Sequence, residues 1–126
     1  MASQTLQMKV GDTGPAIQST LRDGNGVVVD VTGSTIQFKM KMREPARGRG
    51  DMSRLVGLKV DAAGGIVGAG TDGVVSYTWV AGDTDTPGDY VAEWEVTFGG
   101  GVIESFPRPG FIHVTIEGDL DYQASF

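Results

Sequence analysis

The stretch GDTDTPGD (82–89) places three aspartates close together, a composition that could bind a calcium ion. Calcium takes six to eight oxygen ligands, and an EF-hand loop supplies them from positions 1, 3, 5 and 12, with glycine at position 6. Asp83 and Asp85 match positions 1 and 3, and a glycine falls at position 6. Pro87 then stands at position 5 and Trp94 at position 12, and neither side chain offers an oxygen. We therefore expect the two aspartates to bond backbone amides in a turn, and no metal to bind.

Other residues that could carry chemistry give weaker signals. His113, the single histidine, stands within the alternating stretch FIHVTIE, which favours a structural position on a polar strand face over a general base. The stretch GAGTDG (68–73) lacks the GxGxxG spacing of a phosphate-binding loop, and no helical pattern follows it. The chain has no cysteine, which excludes disulfides, thiolate metal sites and cysteine nucleophiles. We expect no catalytic residue, no cofactor and no enzymatic activity.

Charge is distributed unevenly along the chain, whose net charge is −6. Residues 39–59 hold seven of the ten lysines and arginines but only two acidic residues. Residues 60–126 hold one arginine and eleven acidic residues. Surfaces of opposite sign steer association, so this distribution suggests contact with another copy of the chain or with a charged partner. A basic loop that is merely solvated is the alternative interpretation.

Apolar residues recur with a period of two along most of the chain, which is typical of β-strands. TIQFKMKM (35–42) and DYVAEWEVTF (89–98) alternate most regularly, and in the first of them the inward face extends from Ile36 to Met42. Six further strands are predicted, at residues 6–10, 16–21, 57–62, 74–80, 102–106 and 111–117. No stretch free of glycine and proline shows a helical apolar stripe, so we expect no helix longer than a single turn.

Residues that favour turns separate these strands. DGNG (23–26) and FGGG (98–101) each join two extended segments and fit hairpin turns, because glycine and asparagine tolerate positive φ. Short strands separated by such turns predict an all-β fold, an antiparallel immunoglobulin-like β-sandwich. Since no cysteine pair can link the sheets, aromatic side chains must fill the space between them. The predicted core aromatics are Phe38, Tyr77, Trp79, Tyr90, Trp94 and Phe98.

A chain of 126 residues has the length of one domain with one core. We expect the sandwich to occupy residues 5–117 and to be followed by a C-terminal tail at 118–126. The first residues, MASQTLQMKVG, lack the basic and apolar regions of a secretory signal, and no apolar run approaches the ~20 residues of a membrane span. The expectation is a protein that is neither exported by the secretory route nor bound to a membrane.

Three stretches, taken in order, resemble a known family. They are GDTGPAIQSTLRDGNGVVVDVTGSTIQFKM (11–40), GVVSYTWVAGDTDTPGDYVAEWEVTF (73–98) and FPRPGFIHVTIE (106–117). Together they resemble the small immunoglobulin-like domain of phage structural proteins, notably the N-terminal domain of the BppU family of phage baseplate upper proteins. The resemblance extends over roughly residues 8–117. It implies a domain without catalytic activity that docks to other components of the virion.

The resemblance and the charge distribution together lead to an expected function. The protein would be a structural protein of the phage virion, made in the host bacterial cytoplasm. It would dock to capsid, head–tail, or tail and baseplate subunits in a symmetric assembly. The basic loop (43–54) and the termini would make these contacts. The candidate contact residues are Arg43, Arg47, Arg49, Arg54, Tyr122 and Phe126.

The positions of the aromatic residues bear on two other kinds of ligand, nucleic acids and carbohydrates. Single-stranded nucleic acids stack on aromatic side chains, and residues 43–57 contain none, so we do not expect nucleic-acid binding by the basic segment. A carbohydrate-binding β-sandwich that aids adhesion to the host surface is the alternative function. That function would require exposed aromatics, whereas the alternation places most of them inward.

Overall fold

Two β-sheets make up the part of the chain that the computed structural model describes, which comprises residues 4–43, 58–108 and 110–118. The described strands are β1 (Thr5–Lys9), β2 (Ile17–Thr20), β3 (Thr35–Met42), β4 (Val60–Ala63), β5 (Gly65–Ile66), β6 (Val74–Tyr77), β7 (Gly88–Thr97), β8 (Ile103–Phe106) and β9 (Ile112–Glu117). The helical elements of the described residues are two single 3-10 turns, Gly70–Asp72 and Ala81–Thr84. All eight predicted strands are present, and β5 is an additional one.

The strands form a β-sandwich, as expected. The larger sheet has the order β1-β9-β7-β3-β4, with β8 also paired to β7, and the smaller sheet has the order β2-β6-β5. Neighbouring strands are antiparallel except β1 and β9, which pair in parallel. This parallel pair is the one exception, among the described strands, to the antiparallel arrangement that the sequence predicts. Parallel neighbours need a long connection, and here almost the whole described chain lies between them.

Strands β3 and β7 form the middle of the larger sheet and alternate as predicted. Phe38 pairs with Trp94 and Met40 with Ala92, and all four side chains are buried. Met42 was predicted to point inward, but it is 36% exposed. Met42 is the last residue of β3, so it stands at the end of the strand.

An aromatic cluster joins the two sheets where a disulfide is impossible. The Phe38 ring lies 4.9 Å from the Tyr77 ring and 4.8 Å from the Trp94 ring, measured between centroids. Trp79 meets Phe38 and Tyr77 edge-on at 5.5 and 5.6 Å. Contacts of this geometry stabilise a core beyond the area that they bury. Of the predicted core aromatics, Phe98 alone is only partly buried.

Gly64 lies where the chain passes from β4 in the larger sheet to β5 in the smaller sheet. A Cβ atom at this position would stand 2.8 Å from the carbonyl oxygen of Ser76 and 3.2 Å from the Trp94 ring. The Gly64 amide also donates a hydrogen bond to the Ile36 carbonyl at 2.9 Å. The Ser76 carbonyl and the Trp94 ring therefore lie so close to the chain at this crossing that only glycine fits there.

Both predicted hairpin turns are present. In DGNG the Asp23 carboxylate accepts hydrogen bonds from the amides of Asn25 and Val27, at 2.8 and 3.0 Å. In FGGG the Phe98 amide donates to the Val102 carbonyl at 2.8 Å, and the pairing continues into β7 and β8. The short polar side chain in the first turn and the glycines in the second are what let the chain reverse.

Candidate interaction surface

The aspartate turn, residues 81–89, is built around Asp83. Its carboxylate accepts a hydrogen bond of 2.6 Å from the Tyr77 hydroxyl and one of 2.9 Å from the Val80 amide. Asp83 is 8% exposed, so its charge is held by these donors and not by bulk water. Burial, followed by the bond to Asp83, raises the pKa of Tyr77 well above its usual value. The predicted bond to a backbone amide is confirmed for Asp83.

Asp85 and Asp89 have different partners. The Asp85 carboxylate is held mainly by side chains, since it accepts bonds from the Lys59 ammonium and, at 2.9 Å, from the Thr86 hydroxyl. The Lys59 bond is the largest of the causes that lower the pKa of Asp85. Asp89 accepts a bond of 3.1 Å from the Thr115 hydroxyl. The expectation of a backbone cap therefore describes Asp83 better than Asp85.

The three aspartates are not brought together around a common point. Within residues 4–43, 58–108 and 110–118, no group of three or more histidine, cysteine, aspartate or glutamate side chains could hold a metal ion. The carboxylate of Asp83 faces Tyr77, whereas that of Asp85 faces Lys59. The chemistry of the turn is therefore hydrogen bonding that shapes the chain before β7.

His113 and the stretch GAGTDG (68–73), the two other candidates for chemistry, also serve the structure of the sandwich. His113 is half-buried on the outer face of β9, and its amide donates to the Gln4 carbonyl at 3.0 Å. In GAGTDG the Gly70 carbonyl accepts a bond of 3.0 Å from the Val31 amide. A Cβ at Gly70 would lie 2.5 Å from the Cα of Thr32, so this glycine permits one loop to pack against another.

Arg43 is the one predicted contact residue within the described part of the chain. Arg43 is exposed. Its backbone amide donates a hydrogen bond of 2.8 Å to the Asp89 carbonyl, which connects the end of β3 to β7. The described chain resumes at residue 58, and the Lys59 amide donates to the Met40 carbonyl at 2.6 Å. Arg47, Arg49 and Arg54 lie outside the described residues, as do Tyr122 and Phe126.

The basic loop and the C-terminal segment both leave the described strands at the same end of the sandwich. This end is here called the aspartate end and is defined by the turn 81–89. Arg43 reaches this end through its bond to Asp89. Ile116 of β9 pairs with Gly88, so the chain leaves β9 towards residue 118 at the same end. The basic loop and the C-terminal segment are far apart in sequence, yet they start from neighbouring positions.

Part of the charge that is separated along the sequence is paired across strands. Lys39 on β3 lies 3.2 Å from Glu95 on β7, and Lys59 forms an ion pair with Asp85. Lys39 and Lys59, two cations of the basic segment 39–59 that the structure describes, are thus engaged by acidic residues of the same chain. The sequence could not reveal this, because it does not show that β3 lies between β4 and β7.

Exposed apolar side chains near β8 were not anticipated. Val102 is 57% exposed, Ile103 58% and Phe111 46%. The signal available in the sequence was that VIESF follows the glycine turn with two consecutive apolar residues, one of which must face outward in a strand.

No known protein-family model matches the chain, and no curated protein matches it in sequence. The described residues include no helix that is long and apolar enough to cross a bilayer.

Proposed function

We propose that this protein is a non-enzymatic structural protein of a phage virion. It docks to neighbouring capsid, head–tail, or tail and baseplate subunits through the basic loop and the C-terminal segment. The observation that carries the proposal is the common origin of these two segments, since the flank at Arg43 and the end of β9 both lie at the aspartate end. A rigid sandwich that presents two segments from one end is suited to hold a partner there.

The virion context comes from the resemblance described above, and an immunoglobulin-like form of the sandwich is part of that proposal. Two features support this form. The Tyr90 hydroxyl, near the start of β7, donates to the Thr86 carbonyl four residues upstream at 2.7 Å. Immunoglobulin-like domains have a tyrosine with such a bond at the corner before a central strand. The packing of a small sheet, β2-β6-β5, against a larger one is the second feature.

The arginines of the loop give the docking its chemistry. Guanidinium groups form charge-assisted and bidentate bonds with carboxylates, so Arg43, Arg47, Arg49 and Arg54 suit an acidic surface on a neighbour. Lys39 and Lys59 form ion pairs within the chain. The proposal assigns the arginines to the partner because of the geometry of their guanidinium groups.

Carbohydrate binding has less support. In the described residues the tryptophans and tyrosines, Trp79, Trp94, Tyr77 and Tyr90, are all buried. A sugar platform needs such rings at the surface, and Phe111 is the large aromatic that the described part exposes. We therefore do not extend the proposal to a sugar ligand.

The proposal is tested by a mass-spectrometric inventory of purified particles. We expect the protein to be present at a fixed copy number, and the value of that number separates a capsid subunit from a tail or baseplate subunit. A non-structural phage protein of similar abundance in the infected cell serves as the control for contamination. Absence of the protein from the particles would overturn the proposal.

A further inference from the structure

Strand β8 has an open edge. It pairs with β7 on one side, and no other described strand lies beside it. The Phe98 amide donates to the Val102 carbonyl, so by the alternation of an antiparallel ladder Glu104 and Phe106 bond to β7. The backbone groups of Ile103 and Ser105 therefore face away from β7. An edge of this kind is a template for an added strand.

Exposed apolar side chains lie on β8 and close to it in the sequence. Val102, Ile103 and Phe111 are three of the eight exposed large apolar side chains in the described part of the chain. Ile103 stands opposite Thr97, on the outer face of the sheet. Arg108, the one cation of residues 60–126, donates from Nε to the Ser105 carbonyl at 2.9 Å. A carbonyl oxygen has two lone pairs, so Ser105 can accept a second hydrogen bond.

The C-terminal segment DLDYQASF (119–126) has the pattern of a strand. Leu120, Tyr122, Ala124 and Phe126 alternate with polar residues over its whole length. A strand with this period of two presents one apolar face and one polar face. Its apolar face matches the exposed side chains beside β8, and its two aspartates match the charge of Arg108.

The segment cannot lie along β8 of its own chain. Gly88 pairs with Ile116, whereas Trp94 and Thr97 pair with Phe106 and Ile103. At ~3.3 Å per residue, β8 therefore begins about 30 Å and ends about 20 Å from the level of Ile116. Eight extended residues span at most ~29 Å, and they start beyond that level at residue 118.

We propose that residues 119–126 of one copy add as a strand to the β8 edge of a second copy. The inference rests on the proposed function, because it supplies one of the contacts between repeated subunits. Backbone hydrogen bonds to Ile103 and Ser105 give the affinity, and the apolar face of the segment covers Ile103. The contact joins two different surfaces, so it builds an open chain of copies or a closed ring, and the smallest such ring is a reciprocal pair.

The test is the sedimentation of the full chain and of two variants. The edge variant is Ile103→Asp, with Val27→Asp as its control, since Val27 is 59% exposed and directly follows the DGNG turn. The tail variant is Leu120→Asp with Tyr122→Asp, and Gln123→Asp, on the polar face, is its control. We expect the full chain and both controls to self-associate, and each variant to associate at least about tenfold more weakly.

Mixing the two variants gives the sharpest readout. The edge variant keeps an intact tail and the tail variant keeps an intact edge, so a mixture should form a one-to-one complex that neither variant forms alone. Circular dichroism checks that both variants are folded. The proposal is overturned if the full chain stays monomeric up to about 1 mM, where even millimolar affinities are visible. It is equally overturned if the mixture forms no complex, or if the controls fail together with the variants.

These outcomes are separate from the fate of the proposed function. Particles that lack the protein would remove the virion role, while the sedimentation result would still decide the strand addition. Particles that contain both variants at the normal copy number, together with a monomeric full chain, would leave the virion role and remove the strand addition.

Discussion

The indole Nε1 of Trp94 donates a hydrogen bond of 2.9 Å to the hydroxyl of Ser19, which joins β7 of the larger sheet to β2 of the smaller sheet. The Ser19 hydroxyl in turn donates to the side chain of Gln4, and the Gln4 amide group donates to the Gln18 carbonyl at 2.9 Å. The N–H of a buried tryptophan is stabilised by a hydrogen-bond partner, and for Trp94 that partner belongs to the opposite sheet. One side chain therefore packs in the core and also links the two sheets by a hydrogen bond.

Trp94→Ala should lower the free energy of unfolding by about 3–5 kcal/mol, as truncation of a large core aromatic does. Trp94 is fully buried and its ring packs against Phe38. Chemical denaturation measures the change. Phe111→Ala, at an exposed position, is the control and should change the stability by less than about 0.5 kcal/mol. A loss below about 1 kcal/mol for Trp94→Ala would contradict the register of β7.

Gly64→Ala should destabilise the sandwich by about 1–3 kcal/mol, because the added methyl group would collide with the Ser76 carbonyl at the crossing between sheets. The neighbouring Gly65→Ala is a matched control, since a Cβ there meets no atom within 4 Å. We expect this control to be neutral or slightly stabilising. Denaturation curves of the two variants should therefore separate. Equal stability of the two variants would contradict the placement of Gly64 at the crossing between the sheets.

The protein should lose stability in alkali through Tyr77. Its pKa is raised in the folded state, so its contribution is complete below the pKa of about 10 that it has when unfolded, and is lost as the pH rises above that value. The expected slope is up to about 1.4 kcal/mol per pH unit from this one group. Denaturation between pH 9 and 11, values that bracket that pKa, should show a smaller decline for Tyr77→Phe than for the unmodified chain. Parallel declines would exclude Tyr77 as the cause.

Calcium should leave the melting temperature unchanged. Asp83 already accepts two hydrogen bonds, and Asp85 is paired with Lys59, so neither carboxylate is free to bind an ion without breaking these contacts. Melting curves in excess calcium and in EDTA should coincide within about 1 °C. A ligand that binds only the folded state raises the melting temperature, so a rise of many degrees in calcium would identify the aspartates as ligands.

The strands could be predicted from the sequence because alternation reports burial on one face of a sheet. TIQFKMKM coincides with β3, residue for residue. Strand β5 was missed because Gly65 and Ile66 are too short a stretch to show a period of two. The parallel pairing of β1 with β9 was missed because alternation is the same for parallel and antiparallel neighbours.

The candidate site was less predictable from the sequence, because part of it depends on contacts between segments that are distant in the chain. Asp83 as a cap follows from local turn chemistry, and the sequence suggested it. The ion pair between Lys59 and Asp85 depends on two segments meeting in space, which no local pattern contains. The bond from Tyr90 to Thr86 was missed as well, although a tyrosine two residues after a proline–glycine turn was a usable signal.

Reversing the charge of the basic loop should prevent incorporation into particles without unfolding the protein. The change is Arg43→Glu with Arg47→Glu, Arg49→Glu and Arg54→Glu, which would place like charges against an acidic partner. The single change Arg43→Glu has a matched control in Arg22→Glu, because Arg22 is also exposed but lies by the DGNG turn, where it donates to the Gly26 carbonyl at 3.0 Å. Copy number in purified particles is the measurement, with circular dichroism as the check on folding. We expect the fourfold variant to be absent, Arg43→Glu to be depleted and Arg22→Glu to be normal. Equal incorporation of all three would contradict the assignment of the basic loop to the contact.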